Sequence, residues 1–222
     1  MLALFLDLSL WKIFLFLFSA IITIASIRLS ICLPQYRQAS SLKSKKQENI
    51  SVMVYWGSGG HTTEMIRLIS NLRRDKYSPV WFVKSHSDST SENKIIAAKQ
   101  LSQLQHSWST VYRSREVKQS WLSTIITSFY CFIDCFSLVL KHKPQLILCN
   151  GPGTCVLICY SAFILRLLGV YHPVIVFVES FCRVKSLSLS GRLVYPIADK
   201  FIVQWPQLAS KHGRAEYLGR IC

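Results

Sequence analysis

The run Val174-Ile-Val-Phe-Val178 is apolar at every position, so a strand built from it must be covered on both faces. A strand with one wet face would alternate apolar and polar residues. Four other short runs are rich in β-branched or aromatic residues: Ile50–Tyr55, Pro79–Val83, Gln145–Cys149 and Lys200–Gln204. Helical spacing fills the gaps, at Thr62–Arg74, Glu92–Leu104, Trp121–His142 and Thr154–Leu168. Strands alternating with helices specify an α/β fold, a single Rossmann-like parallel sheet with helices on both faces. The C-terminal Tyr217-Leu-Gly-Arg-Ile-Cys222 reads as a last short strand. There are no internal repeats.

Ahead of this pattern, Leu8 to Leu33 is long and apolar enough to cross a bilayer. Its centre, Ile13–Ile27, carries no charge, and Lys12 and Arg28 can snorkel from its ends. Trp11 and Tyr36 fall where interfacial aromatics belong, and Pro34 ends the helix. The rival reading, a cleaved signal peptide, wants positive charge before the apolar run. Met1–Leu10 instead has no Lys or Arg and contains Asp7, while Arg28, Arg37, Lys43, Lys45 and Lys46 follow the span. By the positive-inside rule the remainder then faces the cytosol. The expected organisation is a membrane anchor over 1–36, a basic linker over 37–49 and a Rossmann-like domain over 50–222. Trp121–Leu140 and Cys155–Gly169 are also apolar, but Asp134 and Arg166 interrupt them. They read as buried or membrane-skimming helices, with a second span as the alternative.

The formal charge of +15, from 26 Lys+Arg against 11 Asp+Glu, points to an anionic partner. RNA recognition would need a known module, and there is no RNP-like strand, KH-type GxxG loop or zinc knuckle. No nucleic acid is expected; a membrane surface and a phosphorylated ligand suit the charge better. The 8 cysteines lie mostly in apolar runs, without CxxC or a His pair at zinc spacing. They read as reduced core residues in a cytosolic compartment.

Ser51–Trp56 leads directly into Gly57-Ser58-Gly59-Gly60-His61 and then a helical pattern from Thr62. Glycines let a backbone approach a ligand closely, and the helix start offers unpaired N–H groups, so a phosphate is the natural guest. Thr62 stands where GxGxxG needs its third glycine, and neither GxxxxGK[ST] nor GxSxG is met. A tight βα turn is the simpler reading, although three glycines in four positions exceed what a turn requires. Asn150-Gly-Pro-Gly-Thr154 likewise follows a strand and opens a helix, making a second cradle of N–H groups.

Gly57-Ser-Gly-Gly-His-Thr-Thr-Glu-Met65 resembles the first-strand loop of two-Rossmann-domain (GT-B) glycosyltransferases acting on polyprenyl-pyrophosphate acceptors. Arg113-Ser-Arg-Glu-Val117 with Gln119-Ser120 follows, then Asn150–Thr154 and Glu179-Ser-Phe-Cys-Arg-Val-Lys-Ser186. Tyr195-Pro-Ile-Ala-Asp199 and Phe201-Ile-Val-Gln-Trp-Pro206 complete the order. Together, over Val52–Cys222, these blocks resemble the family of anchoring subunits of the transferase that adds the second GlcNAc to dolichyl-pyrophosphate-GlcNAc in asparagine-linked glycosylation. The resemblance implies a split enzyme at the endoplasmic reticulum membrane. This chain would be the single-pass, acceptor-side half of a GT-B fold, inactive alone, and a soluble catalytic subunit would bind UDP-GlcNAc. It implies that the C-terminal end meets that partner. No cofactor is implied, and with no DxD in the sequence no metal-dependent donor site is supported.

The implied reaction has an acceptor hydroxyl attacking the anomeric carbon with inversion and loss of UDP. It needs a proton acceptor and cations for the pyrophosphate. Asp7 and Glu48 fall in anchor or linker, and Asp75, Asp88 and Glu92 read as surface residues, leaving His61, Glu64, Glu116, Glu179 and, last, Asp199. His61 at a helix start suits a base or a donor to phosphate; the bland alternative is a helix cap. Glu64 reads as capping-box-like support for its helix. Glu179 ends a strand at the carboxyl edge, where open sheets place ligand residues and a carboxylate has little structural reason to exist. His61 and Glu179 are therefore the catalytic candidates. The binding candidates are Gly57, Ser58, Gly59, Gly60 and Thr62 in the first turn and Asn150, Gly151, Gly153 and Thr154 in the second. Arg115, Glu116 and Arg183 join them, while all four cations Arg113, Arg115, Arg183 and Lys185 serve either the pyrophosphate or anionic headgroups. The alternative function is a pure membrane adaptor without active-site residues. A membrane oxidoreductase is disfavoured by the incomplete fingerprint and by Val83-Lys84-Ser85, where an acid should end the second strand.

Overall fold

The computed structural model describes residues 2–34, 49–98, 101, 105–116 and 119–222, with the backbone alone over 2–10. Apart from Asn49, the expected basic linker lies outside the described residues. The chain divides into two units, Met1–Leu42 and Lys43–Cys222. The first is built on one helix, α1 (Leu2–Cys32). Its stretch Trp11–Cys32, 22 residues, is long and apolar enough to cross a membrane. At the helical rise that is about 33 Å, against a hydrocarbon core of about 30 Å. Thr23 returns its hydroxyl to the Ser19 carbonyl at 2.9 Å, so this polar group needs no water.

The second unit is a seven-stranded sheet, every neighbouring pair parallel, in the order β3-β2-β1-β4-β5-β6-β7. Its strands are β1 (Ile50–Trp56), β2 (Tyr77–Ser85), β3 (His106–Val111), β4 (Leu146–Asn150), β5 (Val174–Val178), β6 (Lys200–Val203) and β7 (Ala215–Tyr217). The helices are α2 (Gly60–Ile69), α3 (Ser91–Ala97), α4 (Trp121–His142), α5 (Gly153–Leu167), α6 (Leu189–Val194) and α7 (Pro206–Lys211). Strand alternation assigns α2 and α3 to one face and α4 and α5 to the other. Val52, Val54 and Trp56 of β1 point to one side and close a core with Met65 and Ile69 of α2 and Ile95 of α3. Tyr55 and Cys149 point to the other, against Cys131 of α4 and Cys155 and Cys159 of α5, all buried. This is the expected parallel sheet covered on both faces.

β3, α6 and α7 go beyond the expectations, and β7 precedes the expected C-terminal strand, sharing only Tyr217 with it. Among the described residues, none of the eight cysteines is in a disulfide; six are buried, and Cys182 and Cys222 reach the surface. Arg166 of α5, fully buried, pairs with Asp199 at 3.2 and 2.5 Å and donates to the Pro173 carbonyl. Asp199 in turn accepts the Ile175 N–H at 2.8 Å, so this carboxylate belongs to the frame.

The strand order sets the position of the site. From β1 the sheet grows outward through β2 and β3, and the chain then returns to β4 on the other side of β1. The helices that follow β1 and β4 leave to opposite faces, and the crevice this makes at the carboxyl edge is where open α/β sheets bind ligands.

Candidate functional site

At that crevice the two glycine turns interlock. A Cβ on Gly57 would stand 2.2 Å from Pro152 Cγ, and one on Gly151 (φ +62°) would stand 2.1 Å from the His61 ring. Both glycines therefore permit a close approach, and the imidazole rests on the Gly151 backbone. Thr62, expected to meet phosphate, is fully buried; it donates to the Gly57 carbonyl at 2.5 Å and meets the Ser91 hydroxyl at 3.0 Å. Asn150 is also buried and donates to the His61 carbonyl at 2.9 Å. Both side chains shape the turns from within. Gly59 and Gly60 are exposed, and no side chain caps α2, which sets aside the alternative that His61 is a helix cap.

A cleft of about 510 Å³ opens beside these turns. Its polar floor includes Tyr55, Ser58, His61, Ser114 and the start of α5 at Gly153, where no side chain caps the helix. Thr154 lines it but is buried, accepting the Ser114 N–H and donating to the Ser114 hydroxyl, each at 3.2 Å. Burial first, with the nearby Cys155 thiol adding to it, pushes the Tyr55 phenol far above its ordinary value, so it stays a neutral donor. Arg113 and Arg115 supply positive charge. The Arg115 guanidinium lies 4.0 Å from the Trp121 ring centre and donates to the Gln119 carbonyl at 3.1 Å, which fixes its direction. Glu116 pairs with Arg113 at 3.2 Å on the exposed part of this loop. The lip is apolar: Trp121 of α4 is 66 % exposed and Leu189 of α6 is 60 % exposed, with Leu193 beside it.

His61 also borders a second cleft of about 260 Å³, with Glu64, Ser180 and the exposed Arg183. Burial alone would raise the Glu64 carboxyl, but hydrogen bonds from His61, Ser180 and the Phe181 N–H hold it below the ordinary carboxylate value. Glu179 edges this cleft while remaining 0 % exposed. Its oxygens accept from the Ser180 N–H (3.0 Å), the Ser188 N–H (2.9 Å) and the Ser188 hydroxyl (3.1 Å). A Cβ on Gly191 would come within 2.2 Å of Glu179 Oε2, so α6 packs directly on the carboxylate. This corrects the view that a carboxylate at the end of β5 lacks a structural reason. It anchors the loop between β5 and α6.

Asp88, expected at the surface, is buried and accepts from the N–H groups of Thr90 and Ser91 at 3.1 and 3.0 Å. Sequence reasoning missed Tyr55, whose signal was its place one residue before the end of β1, on the face opposite Trp56. It also undervalued Glu64, whose partners other than His61 are remote in sequence. Among the described residues no group of His, Cys, Asp and Glu is arranged to hold a metal ion.

Residues 52–221 match the family described as "Oligosaccharide biosynthesis protein Alg14 like". The mouse UDP-N-acetylglucosamine transferase subunit ALG14 is 49 % identical over 184 residues, covering 79 % of this chain and 84 % of that protein. The human protein of the same name is 45 % identical over 190 residues, 82 % of this chain and 87 % of its own. Among solved structures, MurG of Acinetobacter baumannii superposes with a TM-score of 0.51 at 12 % identity, over 71 % of this chain and 42 % of that one. At that identity the likeness bears on fold alone. The family match and these identities over most of the chain place it in the Alg14-like family of transferase subunits.

Proposed function

We propose that this chain is the membrane-anchored, acceptor-side half of a UDP-GlcNAc transferase that adds the second GlcNAc to dolichyl-pyrophosphate-GlcNAc on the cytosolic face of the endoplasmic reticulum. The observation carrying the reading is the chemistry of the larger cleft. Its floor joins two arginines to a helix N-terminus, and its lip is apolar. A polyprenyl-pyrophosphate sugar has the matching halves: an anionic head for Arg113, Arg115 and the N–H groups of α5, and a lipid tail for Trp121, Leu189 and Leu193. His61, at the border of both clefts, is the candidate base for the acceptor hydroxyl. Ser58 offers a hydroxyl contact to the head group in the larger cleft, and Gly60 and Arg183, which line the second cleft with His61, are assigned to the donor. One sheet supplies one wall of a GT-B cleft, so UDP-GlcNAc needs a second, soluble chain. That chain is recruited through the carboxyl edge of β5–β7, where Phe181, Tyr217 and Leu218 are exposed. α1 and the exposed face of α4 hold the assembly at the bilayer.

The alternative, an adaptor without active-site residues, leaves the cleft unexplained. The test is to purify the full chain from detergent-solubilised membranes and assay transfer from UDP-GlcNAc to phytanyl-pyrophosphate-GlcNAc. Transfer is expected only with the soluble chain present, and His61→Ala is expected to lower it about a hundred- to ten-thousandfold while the two chains still co-purify. Transfer by this chain alone would end the split-enzyme reading. Full activity of the His61→Ala complex would favour the adaptor.

A further inference from the structure

The Glu64 carboxylate is held by donors from three parts of the chain. Oε2 accepts from His61 Nδ1 at 3.1 Å and Asn150 Nδ2 at 3.3 Å, while Oε1 accepts from Ser180 Oγ at 2.7 Å and the Phe181 N–H at 3.1 Å. These donors lie on α2, at the end of β4 and on the loop after β5. The carboxylate cannot swing away from His61 without breaking bonds to the other two elements. The imidazole is fixed on a second side by the Gly151 backbone, close enough that a Cβ there would overlap the ring. With Nδ1 directed at a carboxylate, the neutral ring carries its proton on Nδ1 and leaves Nε2 as the acceptor.

The geometry points to Glu64 as the positioning residue for His61: it selects the tautomer and ring orientation that present Nε2 to the acceptor hydroxyl, and its charge steadies the imidazolium that forms. The inference rests on His61 being the base. In the step, the hydroxyl proton passes to Nε2 and the acceptor oxygen bonds to the anomeric carbon. The bond from that carbon to the β-phosphate oxygen of UDP breaks, its electron pair leaving with UDP. The ring later returns its proton to water, and Glu64 stays ionised throughout. The other charged groups around the two clefts are Glu179 and Arg183 on the side of β5, and Arg113 and Arg115 across the larger cleft.

The test uses the full-length two-chain complex and its pH–rate profile with UDP-GlcNAc and phytanyl-pyrophosphate-GlcNAc, for Glu64→Gln, His61→Ala and the double variant. Glu64→Gln is expected to lower kcat by about ten- to a hundredfold, with the acceptor KM within about twofold. The acid limb of kcat should move to lower pH, because the imidazolium has lost its counter-charge. Because the pair acts as a unit, the double variant should be no slower than His61→Ala. Two results overturn the positioning role: full activity of Glu64→Gln with an unmoved acid limb, or an equal further loss when it is added to His61→Ala. A His61→Ala variant with native activity sinks the base assignment instead, and so is told apart. Should the Glu64→Gln complex fail to assemble, Ser180→Ala removes one anchor of Oε1 and is expected to slow kcat about two- to tenfold. Unchanged kcat in that variant overturns the proposal.

Discussion

Truncating Glu179 to alanine would take the acceptor from the Ser180 N–H, the Ser188 N–H and the Ser188 hydroxyl together, and leave a hole beside Gly191. Buried donors without partners cost about 1–3 kcal/mol each at most sites, with partial relief from water and relaxation. A net loss of about 2–4 kcal/mol is expected. At about 2–4 °C per kcal/mol for a domain of this size, the apparent Tm of the full chain in detergent should fall by roughly 4–16 °C. A melting point close to that of the native chain with transfer abolished would reassign Glu179 to chemistry. Glu64 and Glu179 were hard to tell apart beforehand for one physical reason. A carboxylate's role is set by its donors, and those of Glu64 include Ser180, 116 positions away, while Glu179 binds Ser188, 9 positions away. No local pattern carries that information. The glycines were legible because a βα turn is local, although the sequence did not disclose that Gly57 accommodates Pro152 and Gly151 accommodates His61.

At the scale of elements, α4 combines two surfaces on one helix. Cys131, Cys135 and Val139, at four-residue spacing, face the sheet and α5. Leu122 (77 % exposed), Ile125 and Phe129 lie on the outer surface. Ser120 caps the start by accepting the Ser123 N–H, and Lys143 closes the end in a left-handed conformation (φ 43°). The helix was legible to the residue, because a strong apolar period between a capping serine and a strand leaves little choice. Which face meets protein was not legible, since an apolar-rich helix shows its buried side only once its neighbours are placed. β3 escaped for the opposite reason: His106-Ser-Trp-Ser-Thr-Val111 mixes polar residues into an edge strand that needs only one covered face. If the outer face of α4 meets the bilayer where the acceptor enters, acidic substitutions there should discriminate between acceptors. Ile125→Asp with Phe129→Asp is expected to raise KM for a long dolichyl acceptor in proteoliposomes about tenfold, equivalent to about 1.4 kcal/mol. A short-chain acceptor in detergent should be used as well as before. Equal effects on both acceptors would return α4 to a purely structural role.

The whole molecule is lopsided in charge, with 26 Lys+Arg against 11 Asp+Glu, so each carboxylate that takes up a proton adds to an existing excess of positive charge. The acids that matter most for stability are those tied to the frame of the site. Asp88 is one: its Oδ2 accepts the Ser91 hydroxyl at 2.5 Å, Ser91 meets Thr62 at 3.0 Å, and Thr62 donates to Gly57. A single polar chain thus runs from the cap of α3 to the first glycine turn. Burial raises the Asp88 carboxyl, but the hydrogen bonds from Ser91 and Thr90 outweigh it and hold it below its ordinary 3.8. A carboxylate depressed on folding stabilises the fold fully above its unfolded value, and that contribution fades as pH falls through the lower folded value. Asp88→Asn mimics the protonated acid at every pH. It should cost about 1–2 kcal/mol near neutrality, a Tm deficit of roughly 2–8 °C. As the native chain is acidified below pH 3.8, its own Asp88 becomes neutral and the two melting curves should converge. Thermal unfolding of both proteins across that range decides the matter. A deficit of constant size would mean that the Asp88 charge contributes nothing, and that asparagine perturbs the cap by shape alone.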